Sequence, residues 1–137
     1  MEPETLTEKE APEATVVRSN RTSLTTKAAP TATRSTYHKI MDREAWTHAV
    51  VSAAIVLEMD KQVCRRACVV LGGVAPIPWR LPAVEQMLVG QRITETLAAK
   101  AAETALEGAK PLAKNAYKVP LTKGVVRWTL LDLATRP

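Results

Sequence analysis

At 137 residues the chain has room for one domain with a modest core, and the expectation is a single domain. It is 46% hydrophobic and 24% charged, ordinary for a folded domain, but it has no Phe and only five aromatic residues, so the core must be aliphatic. No window approaches the roughly 18 apolar residues of a membrane span. The acidic start (Glu2, Glu4, Glu8, Glu10) lacks the basic region of a secretory signal, so a cytoplasmic protein without a membrane partner is expected.

The net charge of +5 raises the question of an acidic partner. Residues 1–36 carry five basic and five acidic side chains, so the excess falls in residues 37–137, with fourteen Lys/Arg against nine Asp/Glu. These charges are scattered, with Arg65-Arg66 the only adjacent basic pair, which reads as a solvated surface. A nucleic-acid binder would need a basic patch with stacking aromatics, and neither is evident.

In chain order, the first 36 residues hold nine Thr, three Pro and no aromatic residue. With so little to bury they are expected to form a disordered tail, or to be the remnant of a preceding domain. The domain proper is expected over 37–137. Tyr37 to Met41 is a candidate strand, because the two strands that follow would be marginal without a third. From Thr47 to Met59 the chain is rich in β-branched residues, with Val51, Ala53, Ile55 and Leu57 on one face at period two. After the short polar connection Asp60-Lys61-Gln62, a second run to Val74 places Val63, Ala67, Val69 and Leu71 on one face. The pair predicts an antiparallel hairpin whose turn lacks the favoured Asn-Gly or Asp-Gly.

Three prolines at Pro76, Pro78 and Pro82 forbid helix interior and central strand, which predicts an extended crossing segment. Pro82 suits the first turn of a short helix through Val84, Met87 and Leu88 that stops at Gly90. A second helix is predicted from about Thr94, with an Ala-rich seam at Ile93, Leu97, Ala101 and Ala105 and a stop at Gly108. A third begins near Pro120 and turns Leu121, Val125, Val126, Trp128, Leu130 and Leu133 inward. Strands first and helices after them indicate an α+β fold, a small antiparallel sheet of about three strands with three helices on one face.

Few residues suggest self-contained chemistry. Cys64 and Cys68 are the only cysteines. Four residues along a strand span roughly 13 Å, beyond the roughly 4.4–6.8 Å between α-carbons that a disulfide allows. Two thiolates do not close a zinc or iron–sulfur site, and His38 and His48 show no ligand spacing to them, so no metal site is expected. His48 lies near Asp42 and Glu44, but no nucleophile motif accompanies them and no catalytic residue is assigned. Gly72-Gly73 permits close approach of a backbone or a helix, yet no phosphate-binding Gly-rich loop occurs.

The run Val70-Leu71-Gly72-Gly73-Val74-Ala75-Pro76-Ile77-Pro78-Trp79-Arg80-Leu81-Pro82 resembles a signature of the FAD-binding subunits of molybdenum hydroxylases, the relatives of xanthine and aerobic carbon monoxide dehydrogenases. Gly108 to Leu112, Asn115 to Leu121 and Ser35-Thr36-Tyr37-His38-Lys39 resemble further family segments in the same order. The resemblance covers about 100 residues and implies the C-terminal domain of such a subunit, a small antiparallel sheet beside three helices. It implies electron transfer, from iron–sulfur clusters through a flavin to an acceptor, with iron–sulfur and molybdopterin subunits as partners. Lys39 matches a family lysine near the flavin, while Tyr37 and Arg43 are the accompanying cofactor-binding candidates. The family's main FAD grip comes from two Gly-rich loops that this sequence does not contain, so FAD binding requires a partner chain supplying them. The alternative is a stand-alone protein-interaction module that keeps the fold without redox activity.

Overall fold

The computed structural model describes residues 33–43 and 48–137. Period-two apolar residues make the central strands. β2 (Val51–Asp60) buries Val51, Ala53, Ile55, Leu57 and Met59, and β3 (Val63–Gly72) buries Ala67, Val69 and Leu71 on the same side. β1 (Thr33–Ile40) pairs antiparallel with the far side of β2, and β4 (Trp79–Arg80) with β3, giving the order β1-β2-β3-β4. The fourth strand lies within the proline-rich segment, at the sheet edge, where missing donors do no harm.

β1 begins at Thr33, so the expected domain boundary at residue 37 falls inside a strand. Thr33 to Thr36 pair with Glu58 to Ile55. Arg34 reaches across to donate to the carbonyls of Leu133 and Ala134, both at 3.0 Å. The tail expected over residues 1–32 lies outside the described residues.

The hairpin turn is a two-residue loop, Lys61-Gln62, with Lys61 at φ 58 where a glycine would be easier. A bulge follows. Glu58 pairs with Arg66 and Met59 with Cys64, so Arg65 is the extra residue. That insertion reverses the alternation at the start of β3. Cys64 is fully buried, and Val63, expected to face the core, is 39% exposed.

α1 (Pro82–Leu88) has Pro at its start, and Gly90 just beyond it adopts φ 78. α2 (Glu95–Ala105) is capped by the Thr94 hydroxyl, which accepts from Leu97 N–H at 3.2 Å. Its buried seam is Ala98, Ala101, Ala102 and Ala105, with Leu97 half-buried at the flank, and it lies against α3 (Lys118–Thr135). The buried arc of α3 holds Thr122, Val125, Val126, Thr129, Leu130 and Leu133. The two threonines lose no hydrogen bond on burial, because they donate to Lys118 O (2.7 Å) and Val125 O (2.6 Å). Trp128, expected inward, is 56% exposed. At about 100° per residue it falls outside that arc, and its ring meets His38 edge-on at 4.2 Å between centroids.

The three helices cover one face of the sheet, and the described core between them is aliphatic with no aromatic member. No described helix is long and apolar enough to cross a membrane.

Candidate functional site

Alternation along β1 separates its side chains into two sets. Arg34, Thr36 and His38 stand on the helix side, opposite Leu57, Ile55 and Ala53. Tyr37 and Lys39 stand on the other side, opposite Ala54 and Ser52. That face is made of small or short residues. Ser52, Ala54 and Val56 on β2 continue into Gly72 and Val70 on β3, and the row ends at Cys68, which is buried against Glu85 of α1. Tyr37 is 61% exposed, and Lys39 is exposed with no hydrogen bond or ion pair among the described residues. Two of the three expected site residues therefore share one face. Arg43, also exposed, follows in the bend beyond the strand.

Lys39, Ser52 and Gly72 form the last row that spans three strands at this end of the sheet. A Cβ at Gly72 would collide with Ser52 Oγ, and one at Gly73 would stand 2.6 Å from Val50 O. The Gly-Gly pair thus brings the end of β3 tight against the start of β2. Lys118, at the first turn of α3, donates from Nζ to Gly73 O at 3.0 Å and docks the helix there. Tyr117 precedes it, 58% exposed and without a side-chain cap bond. A crevice of about 310 Å³ opens beside this junction, where Val74 and Trp79 meet Gly108, Pro111, Asn115 and Lys118. Segments from all three family-like runs of the second half of the chain converge on it.

The other chemistry-bearing residues are otherwise employed. Cys64 and Cys68 are free and buried, and burial pushes both thiols up to about 11. Such thiols are protonated and unreactive at neutral pH. Cys64 Sγ donates to Arg66 O at 3.3 Å. His48 and Asp42 are exposed, Glu44 lies outside the described residues, and no group of three metal-ligating side chains occurs among the described residues.

Two features escaped the sequence reading. Glu85, 7% exposed, accepts from Val69 N–H at 3.0 Å and from Arg80 through Nε (2.9 Å) and Nη2 (2.9 Å). The usable signal was an acid on the core side of a short helix, five residues after an Arg. His38 lies 3.9 Å from Asp132, across the β1–α3 seam, a pairing that no local spacing announces.

Residues 36–133 match the model of the CO dehydrogenase flavoprotein C-terminal domain. The chain is 33% identical over 105 residues to the aldehyde oxidoreductase FAD-binding subunit PaoB of Escherichia coli (strain K12), covering 75% of this chain and 29% of that one. Among solved structures, quinoline 2-oxidoreductase from Pseudomonas putida 86 is similar with a TM-score of 0.69 and 29% identity, over 75% of this chain and 37% of that one. Reconstituted CO dehydrogenase from Oligotropha carboxidovorans shares the fold, with a TM-score of 0.71 and 23% identity over 80% of this chain and 39% of that one. The chain thus spans under a third of the curated relative's length. The family-model match, the arrangement of four antiparallel strands with three helices on one face, and these likenesses agree, and the chain belongs to the CO dehydrogenase flavoprotein C-terminal domain family.

Proposed function

We propose that the chain serves as the C-terminal part of an FAD-binding unit in a molybdenum hydroxylase, where it presents Lys39 to the flavin and helps relay electrons from iron–sulfur clusters to an acceptor. The observation that carries this reading is an exposed ammonium without a described counter-ion, beside the exposed ring of Tyr37. The donor set fits one edge of a flavin ring and not the rest of FAD. The described site offers a cation and an aromatic but no Gly-rich loop for the phosphates. FAD would therefore be gripped by polypeptide outside these 137 residues, with Lys39, Tyr37 and Arg43 as this chain's contribution.

When bound, the flavin supplies the redox chemistry, taking up electrons and gaining negative charge. Lys39 acts on that charge by Coulomb attraction, worth about 1 kcal/mol at 4 Å in water and about 4 kcal/mol at the effective dielectric of a protein surface. Tyr37 presents its ring from two residues earlier on the same face, and Arg43 adds a second cation beyond the strand end. The partners under this reading are iron–sulfur and molybdopterin-binding polypeptides, together with whatever carries the FAD-gripping loops. The free thiols of Cys64 and Cys68 accord with a reducing, cytoplasmic compartment.

Affinity purification of the chain from its native host tests the proposal. It is expected to bring down polypeptides carrying flavin and iron, whereas the chain alone, titrated with FAD and followed by flavin fluorescence, is expected to show no binding. Submicromolar FAD binding by the isolated chain contradicts the shared-grip arrangement. A chain that purifies without flavin or iron contradicts the redox role and leaves a protein-interaction module.

A further inference from the structure

Glycine inside a strand weakens it, so a Gly72-Gly73 pair at the end of β3 needs a reason. The contacts supply one on the β2 side. Ser52, 6% exposed, turns its hydroxyl into the space that a Gly72 side chain would fill. Gly73 sits at φ 75, with no room for a Cβ under Val50 O. On their opposite flank Ser52 and Val50, the residue just before β2, hold the end of β1. Ser52 pairs with Lys39, and Val50 N–H donates to Ile40 O at 2.8 Å. Two parallel routes therefore cross the sheet, Gly72 to Ser52 to Lys39 and Gly73 to Val50 to Ile40.

We infer that Gly72 and Gly73 are positioning residues for Lys39. The inference rests on the flavin-facing reading of Lys39 for its purpose, but not for its geometry. The Lys39 side chain has no hydrogen bond or ion pair among the described residues, so its direction is set by its own backbone and by the free space around its stem. Both depend on the glycines. With Gly72 in place, Ser52 Oγ occupies the rotamer that points away from Lys39. A methyl group at position 72 expels it, and the remaining staggered rotamers redirect the hydroxyl or shift the strand on which Lys39 pairs. A methyl group at position 73 presses on Val50, whose N–H holds the carbonyl of the residue next to Lys39.

The test uses the full chain with its lysines reductively dimethylated by 13C-formaldehyde and observed by NMR, the Lys39 resonance being assigned by its loss in Lys39→Arg. Gly72→Ala is expected to shift the Lys39 resonance while those of Lys110 and Lys114, in the loop between α2 and α3, hold still. Adding Ser52→Gly, which removes the hydroxyl that the new methyl group meets, is expected to return it. Should Gly72→Ala not fold, Ser52→Val carries the test. Its two γ carbons cannot both sit over Gly72, so one must turn aside and move the Lys39 signal. No flavin enters the measurement, so a negative result here leaves the flavin reading standing, and absence of flavin from the purified assembly leaves this coupling standing. A Lys39 resonance that stays in place while thermal stability falls, or that Ser52→Gly fails to restore, overturns the inference and reduces the pair to a requirement of the fold.

Discussion

At the outer edge of β3 the chain closes its own sheet. Arg80 and Trp79 pair with Val70 and Leu71, Leu81 N–H donates to Val69 O at 3.0 Å, and Glu85 accepts from Val69 N–H. Further along, Cys64 exchanges bonds with Gln91 O (2.9 Å) and Gly90 N–H (2.7 Å). At the other edge, β1 has β2 on one side and no described strand on the other, and it carries Tyr37 and Lys39 outward. The contrast separates two uses of the same kind of element. One edge spends its polar groups on the fold, including a nearly buried carboxylate, while the other ties down Arg34 on its helix side and leaves Lys39 available on the opposite face. An exposed strand edge normally invites pairing, so the open side is where polypeptide outside the described residues has room to act.

The largest loss is expected from breaking the closed edge. Glu85→Ala strips the buried Val69 N–H and the part-exposed Arg80 guanidinium of their shared acceptor, and an unsatisfied buried donor with a lost charge-assisted bond costs about 2–3 kcal/mol. Urea denaturation should show a lower midpoint with little change in slope. A loss below about 1 kcal/mol would mean that Arg80 and Val69 reach water easily and that the edge is less closed than its geometry indicates.

Gly73→Ala should come next, at about 1–2 kcal/mol from the left-handed backbone alone, with further loss from the contact to Val50 O. Gly90→Ala offers a control. It has a similar φ but nothing within 4 Å of a new Cβ, so it carries the conformational penalty without the collision. Equal losses at the two sites would show that the Gly73 contact relaxes away.

Alkali probes the closed edge through its thiols. Burial raises Cys64 and Cys68 from the ordinary 9.0 to about 11 in the folded chain, so the unfolded chain releases these protons first. The stability they protect is whole below pH 9 and drains away between pH 9 and 11. Thermal midpoints measured across that range should fall more steeply in the parent chain than in a Cys64→Ala, Cys68→Ala variant. Parallel curves would show that the thiols are open to solvent.

Much of this was readable beforehand, for identifiable reasons. Val51, Ala53, Ile55 and Leu57 alternate over a strand buried on one face, and Pro82, Gly90 and Thr94 sit where helix ends need them. Tyr37 and Lys39 share a face because period two requires it once β1 is a strand. The failures follow contacts between distant residues. The bulge at Arg65 exchanged Val63 for Cys64, and nothing local in that run specifies an extra residue. Trp128 is hydrophobic and sits within a helical repeat, yet its place is set by β1 and His38, about 90 residues away in sequence. β4 is too short to show a period, and Glu85 is an acid that its partners alone explain.

The smallest effect on the fold, and the most informative about the open edge, belongs to Lys39. An exposed side chain without described polar partners should alter stability by no more than about 0.5 kcal/mol when replaced, so Lys39→Met is expected to melt with the parent. In the flavin-containing assembly the same change removes a cation from beside a group that becomes more negative on reduction. Reduction becomes harder, and the midpoint potential is expected to fall by roughly 20–90 mV, the range corresponding to about 1–4 kcal/mol for a two-electron couple. Lys39→Arg keeps the charge and should recover most of that shift, whereas a lysine needed only to solvate the strand end would leave the potential unmoved in both variants. High salt separates the remaining ambiguity. A lysine that stays exposed in the assembly is screened, and its contribution shrinks as ionic strength rises, while one covered by the added polypeptide keeps its effect. The size of the potential shift and its resistance to salt therefore report together whether the open side of β1 is covered when the chain is at work.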